Sequence, residues 1–175
     1  LVYMESNMLK EKLYNADGQG IRIVVIDSGI NLSHPIIQNM NISDKSIAIH
    51  IDSNEIILSK NINDEFGHGT VVWGILAKLL PKAELIILKI FDEESLYSDE
   101  NKLIFALKYI LKNVQCDIIH MSLGITTPST ELKKMCKKLY ANGIVMISSY
   151  DNAGAISYPA NYAEVIGVDV DDRCI

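Results

Sequence analysis

The apolar positions of the chain fall into two alternating periods. Ile21-Arg22-Ile23-Val24-Val25-Ile26 is a nearly continuous apolar run, the pattern of a strand covered on both faces of a parallel sheet. Runs at Glu84 to Ile90, Asp117 to Met121 and Ile144 to Ser148 read the same way, and Val165 to Val170 is the last strand candidate. Ser46 to Ile51 and Glu55 to Leu58 predict a small hairpin across Asp52-Ser53-Asn54. Between these runs the spacing changes to the helical one. A polar loop, Lys60 to Phe66, leads to His68, from which the positions Val71, Val72, Ile75, Leu76 and Leu79 repeat until Pro81 stops them. Glu100 to Asn113 predicts a helix with Leu103, Ile104, Leu107, Ile110 and Leu111 inward. Thr130 to Ala141 predicts another, closed by Asn142-Gly143. A short helix over Glu5 to Tyr14, with Met8, Leu9 and Leu13 on one side, ends at the turn Asp17-Gly18-Gln19-Gly20.

Strands alternating with helices argue right-handed βαβ units and a mostly parallel sheet, hence an α/β fold. The 175 residues suit a single domain, 1–175, without repeats, linkers or low-complexity segments. Composition adds exclusions. The net charge is -6, and Lys and Arg are scattered, so no basic face offers itself to nucleic acid. No apolar run approaches the ~20 residues of a membrane span, and no basic-then-apolar leader opens the chain. Cys116, Cys136 and Cys174 are an odd set without CxxC spacing, which reads as reduced thiols in a cytoplasmic chain. Leu1 rather than Met opens the chain, which reads as a trimmed start.

The chemistry concentrates in two stretches. Gly67-His68-Gly69-Thr70 puts an imidazole between two glycines at the start of a helical pattern, with little steric cover. Asp27 ends the apolar strand, where functional carboxylates sit in open α/β sheets. A histidine that can take a proton and a carboxylate that can fix its tautomer are two members of a serine-protease triad. Either motif alone is also an ordinary turn or helix start. Their pairing carries the expectation.

Four ordered stretches resemble the subtilisin-like serine peptidase family, the subtilases. They are Val24-Val25-Ile26-Asp27-Ser28-Gly29-Ile30 with His34-Pro35; Gly67-His68-Gly69-Thr70 with Val72 and Gly74; Met121-Ser122-Leu123-Gly124; and Asn152 with Gly154, followed by Tyr158-Pro159-Ala160. The resemblance runs from about Leu9 to Val170. It implies a three-layer sandwich equivalent to the first part of a subtilase domain, incomplete at its C-terminal end. It implies peptide-bond hydrolysis, with Asp27 as triad acid, His68 as base and Asn152 as the oxyanion donor. Ser122, Leu123 and Gly124 match the segment that pairs with an extended peptide or protein substrate.

The family's serine lies roughly 150 residues beyond its histidine, whereas this chain reaches residue 175 and holds no Gly-Thr-Ser-Met motif. Ser148, Ser149 and Ser157 do not open a helix behind a Gly-Thr and read as strand-end and loop residues. The expectation is a chain that is inactive alone, its nucleophile supplied by a missing C-terminal segment or a second chain. The competing expectation is a pseudo-protease that binds a peptide or partner without cutting it. A third is a homo-oligomer that completes its sheet by association.

Four residues depart from the family. Trp73 replaces a small residue, His120 replaces an asparagine, and Tyr150-Asp151 stand where small residues line the specificity pocket. Tyr150 and Asp151 would fill that pocket or favour a basic side chain. With Trp73 they crowd positions that the chemistry keeps open, which favours the pseudo-protease expectation. No cofactor motif is present: His34, His50, His68 and His120 lack metal spacing, and the acidic cluster Asp92, Glu93, Glu94, Asp99 and Glu100 reads as a solvated loop rather than a calcium site.

Overall fold

The computed structural model describes residues 16–37, 40–53, 55–91, 99–151 and 154–169. The expected helix at Glu5–Tyr14, the oxyanion candidate Asn152, most of the acidic loop after Phe91, Asn54, Val170 and Cys174 lie outside these residues. Eight strands form one sheet: β1 (Arg22–Asp27), β2 (Asn41–Ile42), β3 (Ile47–Asp52), β4 (Glu55–Ser59), β5 (Glu84–Lys89), β6 (Ile118–Met121), β7 (Val145–Ser149) and β8 (Ile166–Val168). Their order is β4-β3-β5-β1-β6-β7-β8, with β2 also pairing with β5. Every pairing is parallel except the β3–β4 hairpin. The short β2 and a single turn of 3-10 helix at Pro35–Ile37 carry no apolar period and were not expected from the sequence.

The central strand explains the layering. β1 alternates its side chains between two faces, and both are apolar. Val24 and Ile26 enter the larger core with Ile86, Leu88, Ile119, Met121 and Met146. Over that face lie α2 (Glu100–Asn113) and α3 (Thr130–Ala141), contributing Leu103, Leu107, Ile110, Leu132 and Leu139. Ile23 and Val25 enter a smaller core on the other face, with Leu85, Ile87, Ile30, Ile37 and Trp73. There α1 (His68–Leu79) covers the sheet. Helices therefore lie on both faces of a mostly parallel sheet, the three-layer α/β arrangement.

Local chemistry sets the helix ends. Asp99 caps α2 by accepting from the amides of Asn101 and Lys102 at 2.7 and 3.2 Å, and Ser129 caps α3 through Leu132 N at 3.1 Å. Gly143, at φ 78°, takes the left-handed conformation that ends α3. Both described cysteines, Cys116 and Cys136, are free and buried, and burial above all pushes their thiols up to about 11 and about 12. Such thiols are protonated and inert at neutral pH.

Two features correct the reading from the pattern. In α1, Val72 and Leu76 pack on the smaller core, but Val71, Ile75 and Leu79 stand 63%, 55% and 62% exposed. The side that meets the sheet is built instead from Gly69, Thr70, Trp73 and Gly74. The close approach of α1 to the loop after β1 admits small residues there. Trp73 is fully buried among Ile23, Val25, Leu85 and Ile87. It fills the space under α1 and does not crowd the opening of the site, as its departure from the family pattern had suggested. Beyond β1 the same sheet face is open among the described residues. Val145, Ile147, Ile166 and Val168 project away from the larger core, and Val145, Ile166 and Val168 are exposed. Among the described residues no helix is long and apolar enough to cross a membrane.

This asymmetry gives a direct test. Leu107→Ala, at a fully buried position of α2, should cost about 2–5 kcal/mol of unfolding free energy in a urea titration. Ile166→Ala, on the open face, should change it by less than about 1 kcal/mol.

Candidate active site

β1 lies between β5 and β6, and Asp27 ends it at the carboxyl edge of the sheet, where ligands of open α/β sheets bind. The chain then turns through Gly29 at φ 116°, a conformation that disfavours any side chain. A Cβ at Gly29 would stand 2.5 Å from the carbonyl oxygen of Ile62, which also accepts Ile30 N at 2.8 Å. Across from this turn, a Cβ at Gly69 would come within 2.2 Å of Gly29 O and 3.2 Å of Asp27 Oδ1. Two glycines thus let the first turn of α1 sit against the loop after β1. Their contact brings together residues 41 positions apart.

The result is a short pair. His68 Nδ1 lies 2.7 Å from Asp27 Oδ1, which also accepts the Ser28 amide at 2.7 Å. Asp27 is 1% exposed, while the His68 side chain is 49% exposed. Asp27 Oδ2 is buried and has no hydrogen-bond partner among the described residues. With Nδ1 held by the carboxylate, Nε2 is the nitrogen left to accept a proton. The hydrogen bond to Asp27 is the main cause that raises the His68 pKa; burial opposes it, and the charges of Asp27 and Asp64 add to it.

The first turn of α1 is held by a residue that the pattern assigned to a polar loop. Asp64 is 8% exposed. Its Oδ1 accepts from Ser28 Oγ, Phe66 N and Gly67 N at 2.9, 3.1 and 2.9 Å. Its Oδ2 accepts from Thr70 N and Thr70 Oγ1 at 2.8 and 2.6 Å. Burial, the largest single influence on this carboxyl, pushes its pKa up, but hydrogen bonds led by those from Thr70 hold it below its ordinary value. The nearly fully buried Lys89, register partner of Asp27 on β5, steadies the same loop through Asn63 O and Glu65 Oε2, both at 2.5 Å. An acid four residues ahead of a helix whose N-cap is glycine was the available signal for Asp64.

The remaining sequence candidates among the described residues lie on the open side of β1. His120 is half-buried, in register with Val25, with Nδ1 3.5 Å from Ser122 Oγ. Burial lowers its pKa; Asp27 counters that effect and His68 adds to it. Leu123 is buried, and its carbonyl accepts from Ser148 Oγ at 3.1 Å. A Cβ at Gly124 would meet Tyr158 O and Ser157 Cβ at 3.1 Å, so the backbones are close there too. Tyr150 pairs through its amide with Val168 O, and its ring lies over Gly167 of β8. Asp151 is exposed. Ser148 is fully buried, and Ser157 Oγ donates to Ser149 O at 3.4 Å. Among the described residues, no serine hydroxyl bonds to His68 and no three metal-type side chains cluster.

The subtilase family model, Peptidase_S8, matches residues 18–172. The major intracellular serine protease of Bacillus subtilis is 32% identical over 167 residues, covering 86% of this chain and 51% of that protein. Subtilisin E of the same organism is 30% identical over 166 residues, covering 86% and 41%. Among solved structures, the psychrophilic subtilisin-like protease Apa1 from the Antarctic psychrotroph Pseudoalteromonas sp. AS-11 aligns with a TM-score of 0.68 and 25% identity, over 92% of this chain and 38% of that one. The S41 psychrophilic protease shares the fold, with a TM-score of 0.70 at 22% identity over 90% and 57%. The chain spans about half the length of the curated relatives it matches.

The pair predicts a specific pH behaviour. Because the folded pKa of His68 lies above its ordinary value, the pair's contribution to stability is full below the unfolded pKa and is lost as pH rises through the folded one. Asp27→Asn should therefore lower the His68 titration midpoint, followed by NMR of the imidazole Cε1–H. It should also flatten the dependence of unfolding free energy on pH across that window.

Proposed function

Since the chain belongs to the subtilase family, we propose that it supplies the acid and base of a subtilisin-like serine endopeptidase, Asp27 and His68. The observation that carries this reading is the 2.7 Å contact between His68 Nδ1 and a fully buried Asp27, with the imidazole half-exposed above it. In that role His68 Nε2 takes the proton of a serine hydroxyl as it attacks a peptide carbonyl, then delivers it to the leaving amine. Asp27 holds the tautomer and stabilises the imidazolium. Asn152 would donate to the oxyanion, a type of contact worth about 10²–10³ in turnover. Ser122-Leu123-Gly124 would pair with the substrate backbone, and Tyr150 with Asp151 would border the pocket for the side chain before the cleaved bond.

In this reading the nucleophile comes from polypeptide outside residues 1–175, either a longer product or a companion chain. Support comes from the open sheet face. Ile118, His120, Val145, Ile147, Ile166 and Val168 share it across β6, β7 and β8, directly beside the pair. Val145, Ile166 and Val168, exposed there, make an apolar surface of the kind that packs against another element. The same surface would serve a partner-binding pseudo-protease, which has no use for a proton-accepting imidazole over a buried carboxylate.

Fluorophosphonate labelling separates these readings. The chain alone should stay unlabelled, and a longer product or an added companion should be labelled on a serine outside it. His68→Ala should then slow labelling by roughly 10⁶-fold and Asp27→Asn by roughly 10⁴-fold, the scale of triad losses in subtilisins. Labelling of this chain alone would overturn the missing-nucleophile reading, and absence of labelling in every form would favour the binder.

A further inference from the structure

A helix that begins with a reactive side chain needs its start fixed to a fraction of an ångström, and here the usual device is missing. The N-cap of α1 is Gly67, in the left-handed conformation (φ 84°, ψ -13°), with no side chain to accept from the free amides of the first turn. The buried carboxylate of Asp64 replaces it and does more. Its five donors come from three segments: the loop that follows β1 (Ser28), the loop before α1 (Phe66 and Gly67) and the first turn of α1 (Thr70). Ser28 is the residue next to Asp27, and Gly67 and Thr70 bracket His68. Ser28 Oγ also accepts Gly69 N at 3.0 Å, and Thr70 Oγ1 accepts Asn31 N at 2.9 Å, so the two segments are cross-linked twice more.

We propose that Asp64 is the positioning residue of the site, the group that sets the His68 imidazole in register with Asp27. It touches neither imidazole nor substrate and acts through Ser28, Gly67 and Thr70. Its two oxygens divide the work. Oδ1 holds the Asp27 side through Ser28 and the approach to the helix through Phe66 and Gly67, and Oδ2 holds the helix itself through both donors of Thr70. A carboxylate offers about four lone-pair directions, so this group is saturated, as a buried charge must be if it is to hold a fixed geometry. Its charge at the start of α1 also opposes the helix dipole favourably and adds to the field at His68. Asp27, Glu65 and Lys89 are charged side chains close to the same loop, and His120 is a nearby imidazole.

The catalytic consequence rests on the function proposed above, but the positioning itself is measurable on this chain without any peptidase activity. Histidine NMR of the full chain would follow the His68 Nδ1–H resonance and titration midpoint in Asp64→Asn, Thr70→Val, Thr70→Ser and Glu65→Gln. Asp64→Asn and Thr70→Val should lose the low-field Nδ1–H signal and lower the midpoint. Thr70→Ser, which keeps the hydroxyl, should restore both, and Glu65→Gln should leave them as in the parent. If Asp64→Asn does not fold, the Thr70 pair decides by the same signals. An unchanged His68 signal and midpoint in a folded but less stable Asp64→Asn would reduce Asp64 to a structural cap and overturn the proposal. So would a shift in Glu65→Gln as large as that in Asp64→Asn, because loop charge alone would then account for it. Failure of the serine-labelling experiment with these NMR results intact would remove the peptidase reading and leave the positioning role standing.

Discussion

His68 can face Asp27 only if the start of α1 is pressed against the loop after β1, and that contact is the constraint on which the rest of the site depends. Bringing two backbones so close leaves no room for Cβ atoms, hence Gly29 and Gly69. It also buries amide groups that have lost water, and each unsatisfied one would cost about 1–3 kcal/mol. Ser28, Thr70 and above all Asp64 take up those amides. The glycines make the approach sterically permitted, and the buried carboxylate makes it energetically stable. Neither is sufficient without the other.

The electrostatics follow from the same packing. Asp27 sits in the floor of the site at the end of a strand sealed on both faces, while His68 stands half in solvent. A hydrogen bond to a buried carboxylate favours the protonated imidazole, and partial burial works against it; the hydrogen bond prevails. His120, one strand away, meets the opposite balance, because burial dominates there and the nearby imidazole adds to it. Two histidines near one carboxylate are therefore shifted in opposite directions, by burial and by whether a direct partner exists.

Coverage of the sheet is uneven. The face toward α2 and α3 is closed by a continuous core, whereas the face carrying α1 is filled only over β1 and β5, where Trp73 occupies the gap. The row Val25, His120, Ile147, Ile166 runs from that filled region into exposed surface within three strands. The Asp27–His68 pair stands at the boundary. Any chain that completes the apolar layer over β6 to β8 would come to lie beside the imidazole.

The sequence by itself determined the elements and the two ends of the central contact. Periodicity placed α2 at Glu100–Asn113 and α3 at Thr130–Ala141, and it located the main strands to within a residue or two, because buried faces of strands and helices impose periods that survive in the amino-acid order. Family likeness in short motifs singled out Asp27 and His68, because residues at a close backbone approach are restricted to few types. What only the tertiary structure decided is how those residues are held. Asp64 looked like one polar loop residue among several, Lys89 like the end of a strand, and Trp73 like an obstruction at the site. Their roles arise from partners 6 to 50 or more positions away, such as Thr70 for Asp64 and Ile23 for Trp73. The α1 stripe Val71, Ile75 and Leu79 showed the converse: an apolar period marks a helix, but only the packed fold decides which of its faces is buried.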